Sequence, residues 1–497
     1  MTSQISLPKR ADAVDALRGL AILGMNLSGV IPREGALPAW MYHAQTPPPS
    51  HIFNPNLAGL TWVDLVFPVF LLTMGVSIPL SLSRLIEKGK SKIQICLFIL
   101  KRGFLLATFA IFLEHFRPNV IDKEPSVTKW YLGLLGLFTL FCIFVRLPRY
   151  CPSWLETFVS AFGWVLAIVL LSNLQYPDQT GFSLSRVDII LAVLATVAVF
   201  GSIIWLFTQK NITLRLGILA IIFALRLSST MPGWVQYYWS KTPIEKLFSF
   251  DYLKYLLIVI PGTIIGDLIL TWLTTENNKI YNNSENLSNL NLSENLSDQQ
   301  VKKWSIVRYL GISVLMLAIN IILLVGLQTR QVWQTTIVVL ILCIIGWLLV
   351  KQNNYSTTDS TENLINKLYC WGTYWLILGL AFEPFQGGIK KDSATYSYFF
   401  VTAGMAIFLL IFLTIINNFF QQKKLLSLFI YNGQNPMLGY VLMRNFLFPV
   451  LMLTGLYPQI ESITNTPMLG ILRGIIYTLI VAYIVTIFSR LKIFWRT

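Results

Sequence analysis

GLTWVDLVFPVFLLTMGVSIPLSLSR, residues 59–84, is apolar for long enough to cross a bilayer. Yet Asp64 stands near its start, and Pro68 and Pro79 lie inside it. A carboxylate near the end of a membrane helix costs up to about 2–3 kcal/mol unless it is paired or near water. Each proline removes a backbone donor and tends to kink the helix unless neighbouring groups compensate. A helix needed only to span lipid has no use for such features. This one is expected to line a polar interior.

The rest of the chain fits a membrane setting. Of 497 residues, 55% are hydrophobic and 12% charged, with a mean hydropathy of +0.62. A soluble protein carries about twice that fraction of charge. Apolar runs of membrane length recur along almost the whole sequence, so the fold class expected is all-α, a polytopic integral membrane helical bundle. The net charge of +15 reads as basic loops facing the cytoplasm, with no nucleic-acid partner. The five cysteines show no C-x-x-C spacing, so neither a disulfide framework nor a metal site is expected. No apolar core precedes Asp12 and Asp15, so no cleavable signal is expected either.

About fourteen spans are expected, with a range of about 12–14. They fall at 13–31, 60–82, 93–113, 130–145, 155–172, 188–207, 214–227, 253–273, 305–327, 332–350, 364–381, 398–416, 426–453 and 469–488. Lys and Arg lie mostly at alternate ends of these runs, with Lys390 and Lys391 the main exception. That asymmetry places both termini in the cytoplasm, and the aromatic loop near 234–239 at the outer interface. The membrane expected is a bacterial plasma membrane.

Two polar stretches divide the chain. Residues 275–300 repeat ENLS and are rich in Asn, Ser and Glu, a composition that cannot bury a core and is expected to be disordered. A second polar segment covers 352–362. The organisation is therefore a first transmembrane part (1–274), a linker (275–303), an inserted helical hairpin (304–351) and a C-terminal transmembrane part (352–497).

Four places besides Asp64 carry chemistry. Asp15 and Arg18, three apart, can pair on one helix face, although a carboxylate at a helix start is also what the positive dipole end favours. Lys101 and Arg102 stand within the third span, where a charge must pair, face water or snorkel to the interface. His43 and His51 occupy the Pro-rich loop before Gly59, and His115 follows the third span. A histidine can act as a base near neutral pH, and a lone loop histidine is more often polar surface. Glu383 to Lys391 holds two glycines and two lysines, which suit either an anion or a plain inter-helix turn. No zinc, P-loop, nucleotide-fold or serine-hydrolase motif is present.

Together, VDALRGLAILGM (14–25), the 59–82 block and the terminal RLKIFWRT (490–497) resemble the heparan-alpha-glucosaminide N-acetyltransferase family and its bacterial relatives. Weaker matches are Arg102, PGTIIGD (261–267), GGIKKDSATYSYFFVTAG (387–404) and NGQNPMLGYV (432–441). The resemblance implies a transmembrane acyltransferase that takes acetyl from acetyl-CoA on the cytosolic side and passes it to an amino sugar on the other. Asp15, Arg18, Asp64 and Arg102 match charged family positions. The family's catalytic histidine position falls on Asn54 here, and His51, three residues earlier, is expected to stand in for it. Asn26 lies near the position of a first-span asparagine.

The resulting expectation is an acyltransferase with Asp64, His51 and Asn54 catalytic, and Asp15, Arg18, Asn26, Arg102, Lys88 and Lys390 holding substrate or acetyl-CoA. The acyl-CoA phosphates are placed near the basic loop 84–92. The partners implied are the bilayer, acyl-CoA and a saccharide or other polar acceptor, with a homodimer left open and no metal. A transporter for a polar solute and a catalytically silent family member are the competing readings.

Overall fold

The computed structural model describes residues 11–33, 37–148, 150–242, 244, 246–288, 304–351, 360–420 and 422–497. Its helices are α1 (Asp12–Ser28), α2 (Trp62–Glu87), α3 (Lys92–His115), α4 (Pro118–Ile121), α5 (Val127–Phe144), α6 (Ser153–Asn173), α7 (Ile189–Thr208), α8 (Ile212–Ser228) and α9 (Trp234–Trp239). There follow α10 (Leu256–Ser288), α11 (Ile306–Gln328), α12 (Val332–Val350), α13 (Ser360–Ala381), α14 (Tyr396–Asn418) and α15 (Lys423–Gln434). The chain closes with α16 (Pro436–Leu442), α17 (Phe448–Leu453), α18 (Leu456–Ile463) and α19 (Pro467–Arg490). Two short strands, β1 (Val145–Arg146) and β2 (Phe494–Trp495), pair antiparallel.

Among the described residues, eleven helices are long and apolar enough to cross a membrane, which makes the chain a multi-pass integral membrane protein. The sequence count of about fourteen included α1, α8 and α13, which are not among the eleven. Helices α1 and α8 have 17 residues each, and α13 opens on Ser360, Thr361 and Glu362.

The helix starts follow local chemistry. The Ser91 hydroxyl accepts from Gln94 N while the Gln94 side chain accepts from Ser91 N, a reciprocal cap that opens α3. Asp188, Asn211, Ser305 and Thr466 accept from backbone N–H groups one turn on and open α7, α8, α11 and α19. Helix α2 runs unbroken through Pro68 and Pro79.

Packing is tightest where glycines let backbones meet. Gly75 on α2 lies against Val259 O, and Gly262 on α10 lies against Leu72 O, so a methyl at either would meet backbone. Gly19 on α1 and Gly433 on α15 do the same for that pair. Helix α14 is central and almost wholly buried. The α11–α12 hairpin leans on it through Tyr309, whose ring stacks on Phe419 at 3.9 Å.

Two buried ion pairs cross between helices. Arg117, after α3, binds Glu114 and also Asp188 at 2.5 Å, and Asp188 accepts from the Tyr440 hydroxyl of α16 at 2.9 Å. Arg215 of α8 is fully buried and meets Asp267 of α10 at 2.6 Å, where Trp205 Nε1 also donates at 2.8 Å. In a medium without water to solvate them, such groups persist only when paired.

The polar stretch from Thr275 does not begin as a linker, because α10 continues to Ser288. Residues 289–303 and 352–359, the remainder of the two polar segments, lie outside the described residues. The run 426–453, read as one span, is interrupted at Asn435 and again by the π-helical turn Met443–Leu447.

Candidate functional site

Asp64 is the third residue of α2, and Thr61 is the cap before it. Its Oδ2 accepts from Thr61 N (3.1 Å), Thr61 Oγ1 (3.1 Å) and Ala44 N (3.0 Å). Its Oδ1 accepts from His43 Nδ1 at 2.8 Å, and the carboxylate is buried. Asp64 therefore closes the helix start and grips the loop that carries His43. A carboxylate on Nδ1–H fixes the tautomer and leaves Nε2 able to accept a proton. The His43 ring remains 37% exposed, which is the access such chemistry needs.

Lys391 completes the cluster. Its Nζ lies 3.2 Å from Nδ1 and 3.4 Å from Nε2 of His43. Two joints hold its loop against the 37–61 loop. The Gln45 side chain accepts from Asp392 N (2.9 Å) and donates to Asp392 O (3.2 Å). Gly59 N donates to Ile389 O at 2.9 Å. From the tip of the α11–α12 hairpin, Arg330 reaches Glu383 at 2.7 Å, and Glu383 is buried. Gly388, at φ 94°, has the backbone the turn requires, and a Cβ there would meet both Arg330 and Glu383.

The other sequence candidates fall elsewhere. His51 does not reach Asp64. Its ring packs edge-on against Tyr42 at 4.4 Å, and its Nε2 is buried without a hydrogen-bond partner. Burial pushes the Tyr42 phenol upward, with Arg33 pulling the other way, and its hydroxyl donates to Pro32 O at 2.6 Å. Asn54 serves its own turn: its N–H donates to Gln45 O and its side-chain oxygen accepts from Asn56 N. Lys390 does not touch His43, and its neighbour Lys391 does. His115 is buried against Tyr176 and Phe182, and its Nε2 accepts from Ser183 N.

Farther along, at Thr73 and Ser77, α2 meets a second group of polar residues. Arg18 pairs with Asp15 at 3.2 Å, as their spacing predicts. It also donates to Gly433 O at 3.0 Å and to the Ser77 hydroxyl. Arg102 is exposed on α3, beside the Phe98 ring, with no ion pair among the described residues. Asn26 is buried and donates to Gly439 O, so it joins α1 to α16. Lys88 is exposed at the C-terminal end of α2. At about 1.5 Å of rise per residue, Asp64 and Ser77 stand about 20 Å apart on one helix.

The sequence reading weighed His43 and the Glu383–Lys391 turn but assigned the roles to His51 and Lys390, and it missed the Gln45 and Arg330 braces. Two histidines share one loop, and nothing in that loop's composition says which one folds back onto α2. Among the described residues, no group of three or more His, Cys, Asp or Glu is placed to hold a metal ion.

Comparison with known proteins gives two curated relatives. The human heparan-alpha-glucosaminide N-acetyltransferase (Homo sapiens) is 35% identical over 115 residues, and the mouse protein (Mus musculus) of the same name is 32% identical over 114. Each match covers 23% of this chain and 15% of the relative, so the similarity is distant and partial. The family described as "Domain of unknown function (DUF5009)" matches residues 10–269, more than half of the sequence, and the protein belongs to that family.

Proposed function

We propose that the protein is a transmembrane acyltransferase. It takes an acetyl group from acetyl-CoA at the end of the bundle holding Arg18 and Arg102. It delivers that group at the opposite end to an amine or hydroxyl of a sugar or other polar acceptor. The observation that carries this reading is the His43–Asp64 pair with Lys391 against it, partly open and separated along α2 from the arginines.

The geometry supports the following chemistry. His43 Nε2 takes the proton from the acceptor amine as its nitrogen attacks the thioester carbonyl carbon. Asp64, on Nδ1–H, stabilises the imidazolium that forms. The Lys391 ammonium is a fixed positive charge for the oxygen on which negative charge develops. Collapse of the tetrahedral intermediate breaks the C–S bond, and the proton held by His43 goes to the departing thiolate. The products are the N-acetylated acceptor and free CoA.

A carrier is the second reading, and one observation favours it. The segment from Lys423 to Leu453 is broken at Asn435 and wound into a π-helix at Met443–Leu447, as interrupted helices often are at solute sites. The deciding experiment offers purified protein in proteoliposomes radiolabelled acetyl-CoA and glucosamine. Labelled N-acetylglucosamine that disappears in His43→Gln supports the acyltransferase. Uptake of unmodified solute with no acetyl transfer supports the carrier.

A further inference from the structure

The turn that carries Lys391 is fixed on both sides of that residue. Two residues before it, Ile389 O accepts from Gly59 N at 2.9 Å. One residue after it, the Gln45 side chain accepts from Asp392 N at 2.9 Å and donates to Asp392 O at 3.2 Å. Gln45 stands two residues from His43, so one joint sets the imidazole and the amine together. Lys390 lies back over its own turn. Its Nζ is 3.3 Å from where a Cβ on Gly387 would stand, and its N–H donates to Thr395 Oγ1 at 3.1 Å.

The Lys391 amine occupies the place an acceptor amine needs. Its Nζ is 3.2 Å from Nδ1 and 3.4 Å from Nε2 of His43, and no carboxylate pairs with it among the described residues. Nδ1–H is committed to Asp64 Oδ1, so a proton leaving Nζ goes to Nε2. Loss of that proton turns an ammonium into a primary amine, which is a nucleophile for acyl transfer. The imidazolium so formed is stabilised by Asp64, as it is with an external acceptor.

We propose that the protein acetylates its own Lys391 when no acceptor occupies the site, and that this modification switches transfer off. The inference rests on the acyltransferase reading. One Nζ proton leaves through the half-exposed His43 ring to water, and Nζ attacks the thioester carbonyl carbon to form the C–N bond. His43 takes the second proton, the C–S bond breaks, and that proton goes to the departing thiolate. The products are acetylated Lys391, free CoA and one released proton. The new bond is an amide with a poor leaving group, so acetylated Lys391 is an end product and not an intermediate. Acetylation removes the positive charge that serves the developing oxyanion and fills the space beside His43.

The test incubates purified full-length protein with acetyl-CoA carrying a deuterated acetyl group and no acceptor. Chymotryptic digestion and mass spectrometry then read the peptide from Gln386 to Tyr396, which holds both lysines. Label at Lys391 should exceed label at Lys390 by roughly 10²-fold and fall to the Lys390 level in His43→Gln. Thermal stability of the variant is measured alongside. In the wild-type protein, glucosamine should suppress the label as it saturates the site. Prelabelled protein should acetylate glucosamine more slowly, in proportion to its modified fraction. Equal label on the two lysines, or label at Lys391 that survives His43→Gln, overturns the proposal, because acetyl-CoA then reacts chemically with any accessible lysine. So does label that glucosamine leaves undiminished, an outcome read on the wild-type protein alone. Acetylated glucosamine with no label on Lys391 overturns this proposal and leaves the acyltransferase reading standing. Label on neither overturns both.

Discussion

His43 Nδ1 and Asp64 Oδ1 lie 2.8 Å apart, joining the first extramembrane loop to the third residue of α2. The other carboxylate oxygen is taken by Thr61 and Ala44. One side chain thus starts the helix, closes the loop and orients an imidazole.

His43→Gln should lower acetyl transfer by roughly 10²–10⁴-fold, the usual contribution of a general base, with little change in thermal stability. His51→Gln should leave transfer nearly unchanged, because His51 sits against Tyr42 and away from Asp64. The assay is product formation from labelled acetyl-CoA by both variants at matched purity. Equal loss in both would sink the assignment of His43.

Asp64 should show two separable effects. Asp64→Asn keeps an oxygen for the Thr61 and Ala44 donors but no longer fixes the charged imidazole. Turnover should fall as in His43→Gln while the melting temperature moves little. Asp64→Ala also removes the acceptor of the buried Thr61 and Ala44 N–H groups, and leaving a buried donor unsatisfied costs about 1–3 kcal/mol, so its melting temperature should drop as well. Both measurements belong on one preparation. Undiminished turnover in a well-folded Asp64→Asn protein excludes a catalytic part for the pair.

Much of this was legible from local sequence, and the limit is sequence distance. Asp15 and Arg18 could be paired from their spacing because three residues bring side chains to one helix face. The importance of Asp64 was legible too, because an acid in an apolar run needs a partner. Which partner was not, since no periodicity governs a Pro-rich loop. The same holds for Lys391 over Lys390: the Gln45–Asp392 joint that decides it links residues far apart in the chain. Residues 275–288 misled for a different reason. Composition measures the lack of apolar side chains, whereas backbone hydrogen bonds alone carry α10 on to Ser288.

The hairpin tip should tune the site. Arg330→Gln removes the partner of buried Glu383 and frees the turn that carries Lys391. Displacement of a catalytic group by about 1 Å can cost roughly 10²-fold, so kcat should fall by up to that factor. Acetyl-CoA binding at the other end should stay unchanged. Arg330→Lys should recover part of the loss. Wild-type kcat in Arg330→Gln would show that the hairpin only packs against the bundle.

Gly433→Ala tests the α1–α15 seam. A Cβ there would run into the Asp15 carbonyl, and backbone cannot step aside as a side chain can. Overpacking of this kind costs about 1–3 kcal/mol, so the variant should melt earlier and lose monodispersity in size-exclusion chromatography. Gly217→Ala, on a face with open space, is the matched control and should behave as wild type.

Orientation is the last prediction. The proposed chemistry needs the arginines on the acetyl-CoA side and His43 on the other. Basic residues concentrate near the C-terminal end of α2, at Arg84, Lys88, Lys90 and Lys92, whereas the loop from Leu37 to Gly59 has no Lys or Arg. By that asymmetry the α2 end is expected in the cytoplasm and the His43 loop outside. In a cysteine-free background, a cysteine at exposed Asn56 should react with an impermeant maleimide in intact cells. A cysteine at exposed Lys90 should react only after permeabilisation. The reverse pattern would put the arginines outside, beyond the reach of cytosolic acetyl-CoA. The acyltransferase reading would then fail even with the His43–Asp64 pair intact, because cytosolic acetyl-CoA and the end of the bundle proposed to receive it would lie on opposite sides of the membrane.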